Sequence, residues 1–240
     1  MADIVQANLN VFNSAMNKAE FKEKLGRVLQ YGARMVSGIL TDADMQSPSK
    51  ERKELIAKVN AFQSVLGDSR RTFRFLKEFS VIPTLPKDFN EPDPVNLGLM
   101  VCSKLSLIAF FFTDHYLWMQ KAKIVKSGQA SDTLKTAMKF FLVTHTLNFA
   151  LQMKKLKEML DAAGTPKYNE EKKNLLIQQC VKSLLLMVQA AHISGVFETS
   201  NTLVGLAGVI SSGMDCKQMW ETEVAALSAP PASSSARKLQ

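Results

Sequence analysis

The side chains with the most chemical capability are scattered. His115, His145 and His192 stand alone, with no HxxxH or HExxH arrangement, so no metal site is expected. Asp114 and His115 are sequence neighbours, and on a helix they point about 100° apart rather than at each other. Cys102, Cys180 and Cys216 form no CxxC pair and read as buried small apolar residues. The sequence has no Walker loop, GxSxG or GxGxxG. No catalytic residue, metal or cofactor is expected, and the chain reads as non-enzymatic.

The spacing that does carry chemistry lies between Phe62 and Phe79. On a helical wheel this stretch separates into two arcs. Arg70, Arg71, Arg74 and Lys77 form a cationic arc, joined by Glu78. Phe62, Leu66, Phe73, Leu76 and Phe79, with Val65 and Phe75, form an aromatic-rich apolar arc, with the small Ser69 and Thr72 among its interruptions. Such a helix suits an anionic membrane. Each Lys or Arg near the headgroups contributes about 1 kcal/mol of attraction, and Phe and Leu enter the boundary with the acyl chains. A wedge in one leaflet favours curvature. The same wheel also fits an ordinary core face, in which Phe62, Leu66, Phe73 and Leu76 are simply buried.

Charge distribution follows this pattern. The 240-residue chain has 30 Lys and Arg against 22 Asp and Glu, a formal charge of +8. Residues 50–77 hold eight cations and three acids, and residues 121–182 hold twelve Lys and five acids. Basic patches also suit nucleic acid, but no recognised nucleic-acid-binding motif is present and none is expected as a partner. An apolar content of 46% excludes an intrinsically disordered chain.

These residues need helices to position them, and strand signals are scarce. The spacing predicts an all-α helical bundle with basic amphipathic helices and membrane-associated hydrophobic helices. Asn17 and Glu20 resemble a capping box opening a helix to about Leu40. Ser47-Pro48 opens a second, to Phe79. Pro83, Pro86, Pro92 and Pro94 mark a linker. Further helices are expected over about 95–126, from a Ser131 or Asp132 cap to about 163, from Asn169 to about 197, and over 199–220. The predicted organisation is an N-terminal amphipathic region (1–82), a Pro-rich linker (83–94), a membrane-associated helical region (95–220) and a flexible tail (221–240). The opening residues carry neither a signal-peptide nor a transit-peptide pattern.

A bilayer span needs about 20 apolar residues. Val95 to Met119 comes close, with Lys104, Asp114 and His115 as interruptions. Val181 to Met214 makes one span only if Glu198 faces protein or the interface. Buried helices of a soluble bundle are the alternative. Gly205, Gly208 and Ser212 put small residues on one side of the last helix, a pattern that permits close helix packing.

Three segments together resemble the peroxisomal biogenesis factor 11 family. Lys24-Leu25-Gly26-Arg27-Val28-Leu29-Gln30-Tyr31-Gly32-Ala33-Arg34 is similar to its opening motif. Ser69-Arg70-Arg71-Thr72-Phe73-Arg74-Phe75-Leu76-Lys77-Glu78-Phe79 resembles the next, with Glu78 inserted before the terminal Phe. Leu203-Val204-Gly205-Leu206-Ala207-Gly208-Val209-Ile210-Ser211-Ser212 resembles the closing hydrophobic segment. The resemblance implies a protein of the peroxisomal membrane, or of a specialised peroxisome such as a glycosome, that drives elongation and fission. It implies insertion of the Phe62–Phe79 helix into anionic phospholipid, self-association as a homo-oligomer, and recruitment of a dynamin-related fission GTPase and its adaptors. A channel for solutes, built from the helices of residues 95–214, is the alternative function.

Overall fold

The computed structural model describes residues 2–42, 49–126, 128–166 and 168–228. Among them there is no strand. The helices are α1 (Ala2–Met16), α2 (Ala19–Asp42), α3 (Lys50–Phe73), α4 (Glu78–Val81), α5 (Leu85–Asp88), α6 (Pro94–Lys121), α7 (Ala130–Asp161), α8 (Glu170–Ser194) and α9 (Asn201–Ser228), with a 3₁₀ turn at Ile82–Thr84.

Local chemistry explains most starts and stops. Ser49 caps α3, its side chain accepting from the Arg52 amide. Asp93 caps α6 by accepting from the Val95 and Asn96 amides, and Pro94 occupies the first turn, where no donor is needed. Asn169 caps α8 by accepting from the Lys172 amide. That helix stops at Gly195, whose φ of 74° is left-handed backbone best tolerated by glycine.

Several boundaries differ from the sequence reading. The expected start at Ser47-Pro48 lies outside the described residues, as does the tail from residue 229. α7 begins at Ala130 after Gln129, so neither Ser131 nor Asp132 is its cap. α6 stops at Lys121, and Lys123 turns the chain with a φ of 59°. α9 runs eight residues past Trp220, to Ser228. Val181 to Met214 is not one helix: Gly195 to Ser200, including Glu198, forms the connection between α8 and α9. The Pro-rich stretch holds the 3₁₀ turn and α5, and Asp88 in it is buried.

The core is built by α6, α7 and α8, where Phe110, Phe111, Ala137, Met138 and Ala190 pack together. α2 lies between α9 on one side and α3 on the other, and α1 also reaches α9. The first and last parts of the chain are therefore interleaved. Gly205 and Gly208 sit where α9 crosses α2. A Cβ on Gly208 would lie 2.0 Å from the Tyr31 ring, and one on Gly205 2.4 Å from the Met35 backbone nitrogen. Ser212 is fully buried on the same helix and donates to the Gly208 carbonyl at 2.6 Å.

α6 and α8 are long and apolar enough to cross a bilayer. Within the bundle 28% and 33% of their most apolar windows are buried, and most of the remaining positions are half-buried, with exposed apolar residues such as Leu105, Phe112, Ile177, Val181 and Leu184 among them. Lys104, the charge in the middle of α6, is neutralised within the fold. Its Nζ lies 2.6 Å from Asp88 Oδ2 and donates to the Thr84 carbonyl at 3.2 Å.

Candidate functional site: an aromatic edge over a charged interior

The two arcs of the Phe62–Phe79 stretch are present, but their orientation is the reverse of a cation-out helix. Arg70 and Arg71 are buried and Arg74 is half-buried, all turned toward α2 and α6. Arg70 donates to Glu23 through Nε at 3.0 Å and through a terminal nitrogen at 2.7 Å. Arg71 donates to Asp114 at 3.1 Å and to Asp68 at 2.6 Å. Arg74 reaches the other Asp114 oxygen at 2.7 Å and lies 3.6 Å from Glu23. Lys77 pairs with Glu20 at 3.0 Å.

These pairs break the predicted helix. α3 ends at Phe73, and Leu76 adopts a left-handed φ of 61°, a conformation costing a non-glycine residue about 1 kcal/mol or more. His115 holds the turn. A carbonyl only accepts, so the ring donates through Nε2 to the Arg74 carbonyl at 3.0 Å; Nδ1 lies 3.4 Å from the buried Glu78 carboxylate. Phe75 stacks against His115 and Trp118, with centroids 5.3 Å and 5.8 Å away. Asp114 and His115 thus diverge as helical neighbours should, and each grips a different part of the same turn.

The apolar arc faces outward. Phe62 is 51% exposed, Phe73 43%, Leu76 51% and Phe79 61%, while Leu66 is half-buried. The core-face alternative for Phe62, Phe73 and Leu76 is thereby excluded within this bundle. Lys50, Lys53 and Lys58, earlier on the same helix, are also exposed. Of the cysteines, Cys180 is buried, but Cys102 is exposed.

Beneath the edge lies a cavity of about 310 Å³ bounded by α2, the end of α3 and the turn after it, α6, α7, α8 and α9. Glu23 projects into it, 3% exposed. Burial alone would raise its pKa, but Arg70, Lys24, Arg74 and Arg27 outweigh burial and hold the carboxyl far below its ordinary range. On the α7 side His145 is pushed down to about 3, first by burial and then by Arg27, Lys182 and Lys24, so the ring is neutral. Asp215 of α9 takes Lys24 at 3.4 Å and also pairs with Lys182. Glu23, Arg27, Asp114 and His145 were not singled out as site residues in the sequence. The available signal was Asp114 and His115 within an otherwise apolar run. No group of three or more His, Cys, Asp or Glu suited to a metal is found among the described residues.

The fold and this site define a class: an all-α bundle with an exposed aromatic edge and a cluster of ion pairs folded inward beneath it. The family model for peroxisomal biogenesis factor 11 (PEX11) matches residues 9–220, and the chain belongs to that family. It is 23% identical to peroxisomal membrane protein 11-1 of Oryza sativa subsp. japonica, over 94% of this chain and 97% of that one. It is 26% identical to peroxisomal membrane protein 11D of Arabidopsis thaliana, over 92% and 95% of the two chains. A 28% match to Arabidopsis peroxisomal membrane protein 11E covers 55% of this chain and 51% of that one. No solved structure matches.

Proposed function

We propose that the chain works at the peroxisomal membrane as a non-enzymatic remodelling protein. It binds anionic phospholipid through the edge formed by α3 and the turn after it, and promotes elongation ahead of fission. The observation that carries this reading is the exposed aromatic run of Phe62, Phe73, Phe75, Leu76 and Phe79. Contiguous apolar surface of this kind marks a membrane or protein interaction site. Phe62, Leu66, Phe73, Leu76 and Phe79 enter the lipid boundary, and Lys50, Lys53 and Lys58 supply the first attraction to headgroups. Arg70, Arg71, Arg74 and Lys77 meet lipid only when α3 and its turn swing away from α2 and α6, which exchanges their carboxylate partners for phosphates. Self-association uses α2, where Leu29, Val36 and Ile39 stay exposed. A dynamin-related fission GTPase and its adaptors are the partners that act on the elongated membrane.

The full-length chain and a Phe73→Glu, Leu76→Glu variant, mixed with anionic and with neutral vesicles, test this reading. The unmodified chain is expected to sediment with anionic vesicles and draw them into tubules, and the variant to remain in the supernatant. Equal tubulation by the variant would refute the assignment.

A further inference from the structure

The interior cavity carries more positive charge than its carboxylates neutralise. Eight Lys and Arg side chains line it, against Glu23, Asp114 and Asp215. Arg70 and Arg71 are neutralised by Glu23 and Asp114, Arg74 pairs with Asp114 through a terminal nitrogen only, and Lys24 and Lys182 share Asp215. Arg27 differs. It is 6% exposed and donates through one terminal nitrogen to Gln189 Oε1 at 2.9 Å. Its guanidinium lies over the Tyr31 ring at 5.6 Å, no carboxylate stands within ion-pair distance among the described residues, and its Nε is buried without a hydrogen bond. The Nε of Arg74 and the Nε2 of His145 are likewise buried and unbonded. Unbonded buried donors are costly, and an unneutralised buried charge more so. Burial first, and then the neighbouring Arg27, Lys182 and Lys24, hold the His145 ring neutral.

The rest of the wall is of opposite character. Leu107, Phe110, Leu134, Phe141 and Leu186 present apolar surface. The volume of about 310 Å³ falls at the lower end of the range typical of small-molecule sites.

We propose that this cavity binds a phosphorylated amphiphile with one apolar tail, the phosphate held by Arg27 and Arg74 and the tail lying against Phe110, Phe141 and Leu186. Guanidinium groups suit phosphate because several N–H donors lie in one plane and match its oxygens. The anion removes the charge excess and satisfies the unbonded Nε donors together. A free phosphate ester shares the headgroup chemistry but leaves the apolar wall uncovered. This site lies under the aromatic edge and does not depend on it for its ligand.

The test uses the full-length chain purified in a non-ionic detergent, with lysophosphatidic acid, the monoacylglycerol of the same tail and inorganic phosphate as probes. Native mass spectrometry reads stoichiometry, and thermal melting reads stabilisation. One lysophosphatidic acid per chain and a raised melting temperature are expected, with at least tenfold weaker binding of the other two probes. Arg27→Gln is expected to weaken lysophosphatidic acid at least tenfold, and Arg27→Lys to restore part of that loss. The Phe73→Glu, Leu76→Glu variant is expected to bind as the unmodified chain does, separating this site from vesicle docking. Inorganic phosphate binding as tightly as the lysolipid would make the source a free phosphate ester and overturn the assignment. So would equal binding of the monoacylglycerol, unsaturable multiple binding, or unchanged affinity in Arg27→Gln. If that variant fails to fold, the melting response of the unmodified chain decides: no shift overturns the proposal.

Discussion

Glu23 sits between two arginines at 2.7 Å and 3.6 Å, with Lys24 at 3.4 Å. A charge removed from such a setting leaves its partners buried and uncompensated. Glu23→Gln is therefore expected to destabilise the fold by about 3 kcal/mol or more, read as a lower midpoint in urea unfolding. The same groups set the acid response. The Glu23 carboxyl is held below the ordinary value of 4.5 in the fold, so its contribution is complete above that pH and lost as pH falls further. His145 titrates at about 3 folded against 6.5 unfolded. The unfolded chain takes the proton first, and stability declines as pH drops from about 6.5 toward 3. Melting temperature should fall steadily between pH 7 and pH 4. His145→Gln should flatten the part of the curve above pH 4.5, as circular dichroism melts can check.

At the scale of elements, the crossing of α2 and α9 is a close one, made possible by glycines at the contact. A methyl on Gly208 has no room beside Tyr31, since the separation of 2.0 Å is far inside van der Waals contact. Gly208→Ala should cost about 2 kcal/mol through forced displacement of Tyr31, whereas Gly213→Ala, with open space around its Cβ position, should be neutral or slightly stabilising. Comparing the two unfolding midpoints separates packing from helix propensity. The α3–α4 turn is the other decisive element. Its backbone leaves the helix because Arg71 and Arg74 are tethered to Asp114 and because His115 takes the Arg74 carbonyl.

For the whole molecule, the consequence is a division of labour between two sets of cations on one helix. Lys50, Lys53 and Lys58 face solvent, whereas Arg70, Arg71 and Arg74 hold α3 to α2 and α6. Replacing the three lysines by Gln should lower affinity for anionic vesicles by about 100-fold, at about 1 kcal/mol each, with little change in melting temperature. Replacing the three arginines by Gln should lower the melting temperature first. Vesicle sedimentation and thermal melts on both triple variants distinguish the two roles; identical behaviour would contradict this division.

The helical class, most helix positions and the existence of two opposed arcs were legible in the chain itself, because caps, prolines and 3.6-residue spacing are local properties. The family was legible as well, through three motifs whose residues lie in order along the chain. The direction each arc faces was not. Whether Arg70 meets solvent or a carboxylate depends on Glu23, 47 positions away in sequence, and for Arg71 it depends on Asp114, 43 positions away; no spacing rule connects them. The same holds for the interruption at Leu76, where propensity favours continuing the helix and tertiary ion pairs end it. It holds too for the cavity, whose lining comes from α2, the α3–α4 turn, α6, α7, α8 and α9. Sequence determined that charge and aromatic surface would be kept apart. Only the packing of distant helices decided that the charge lies inside and the aromatic residues outside.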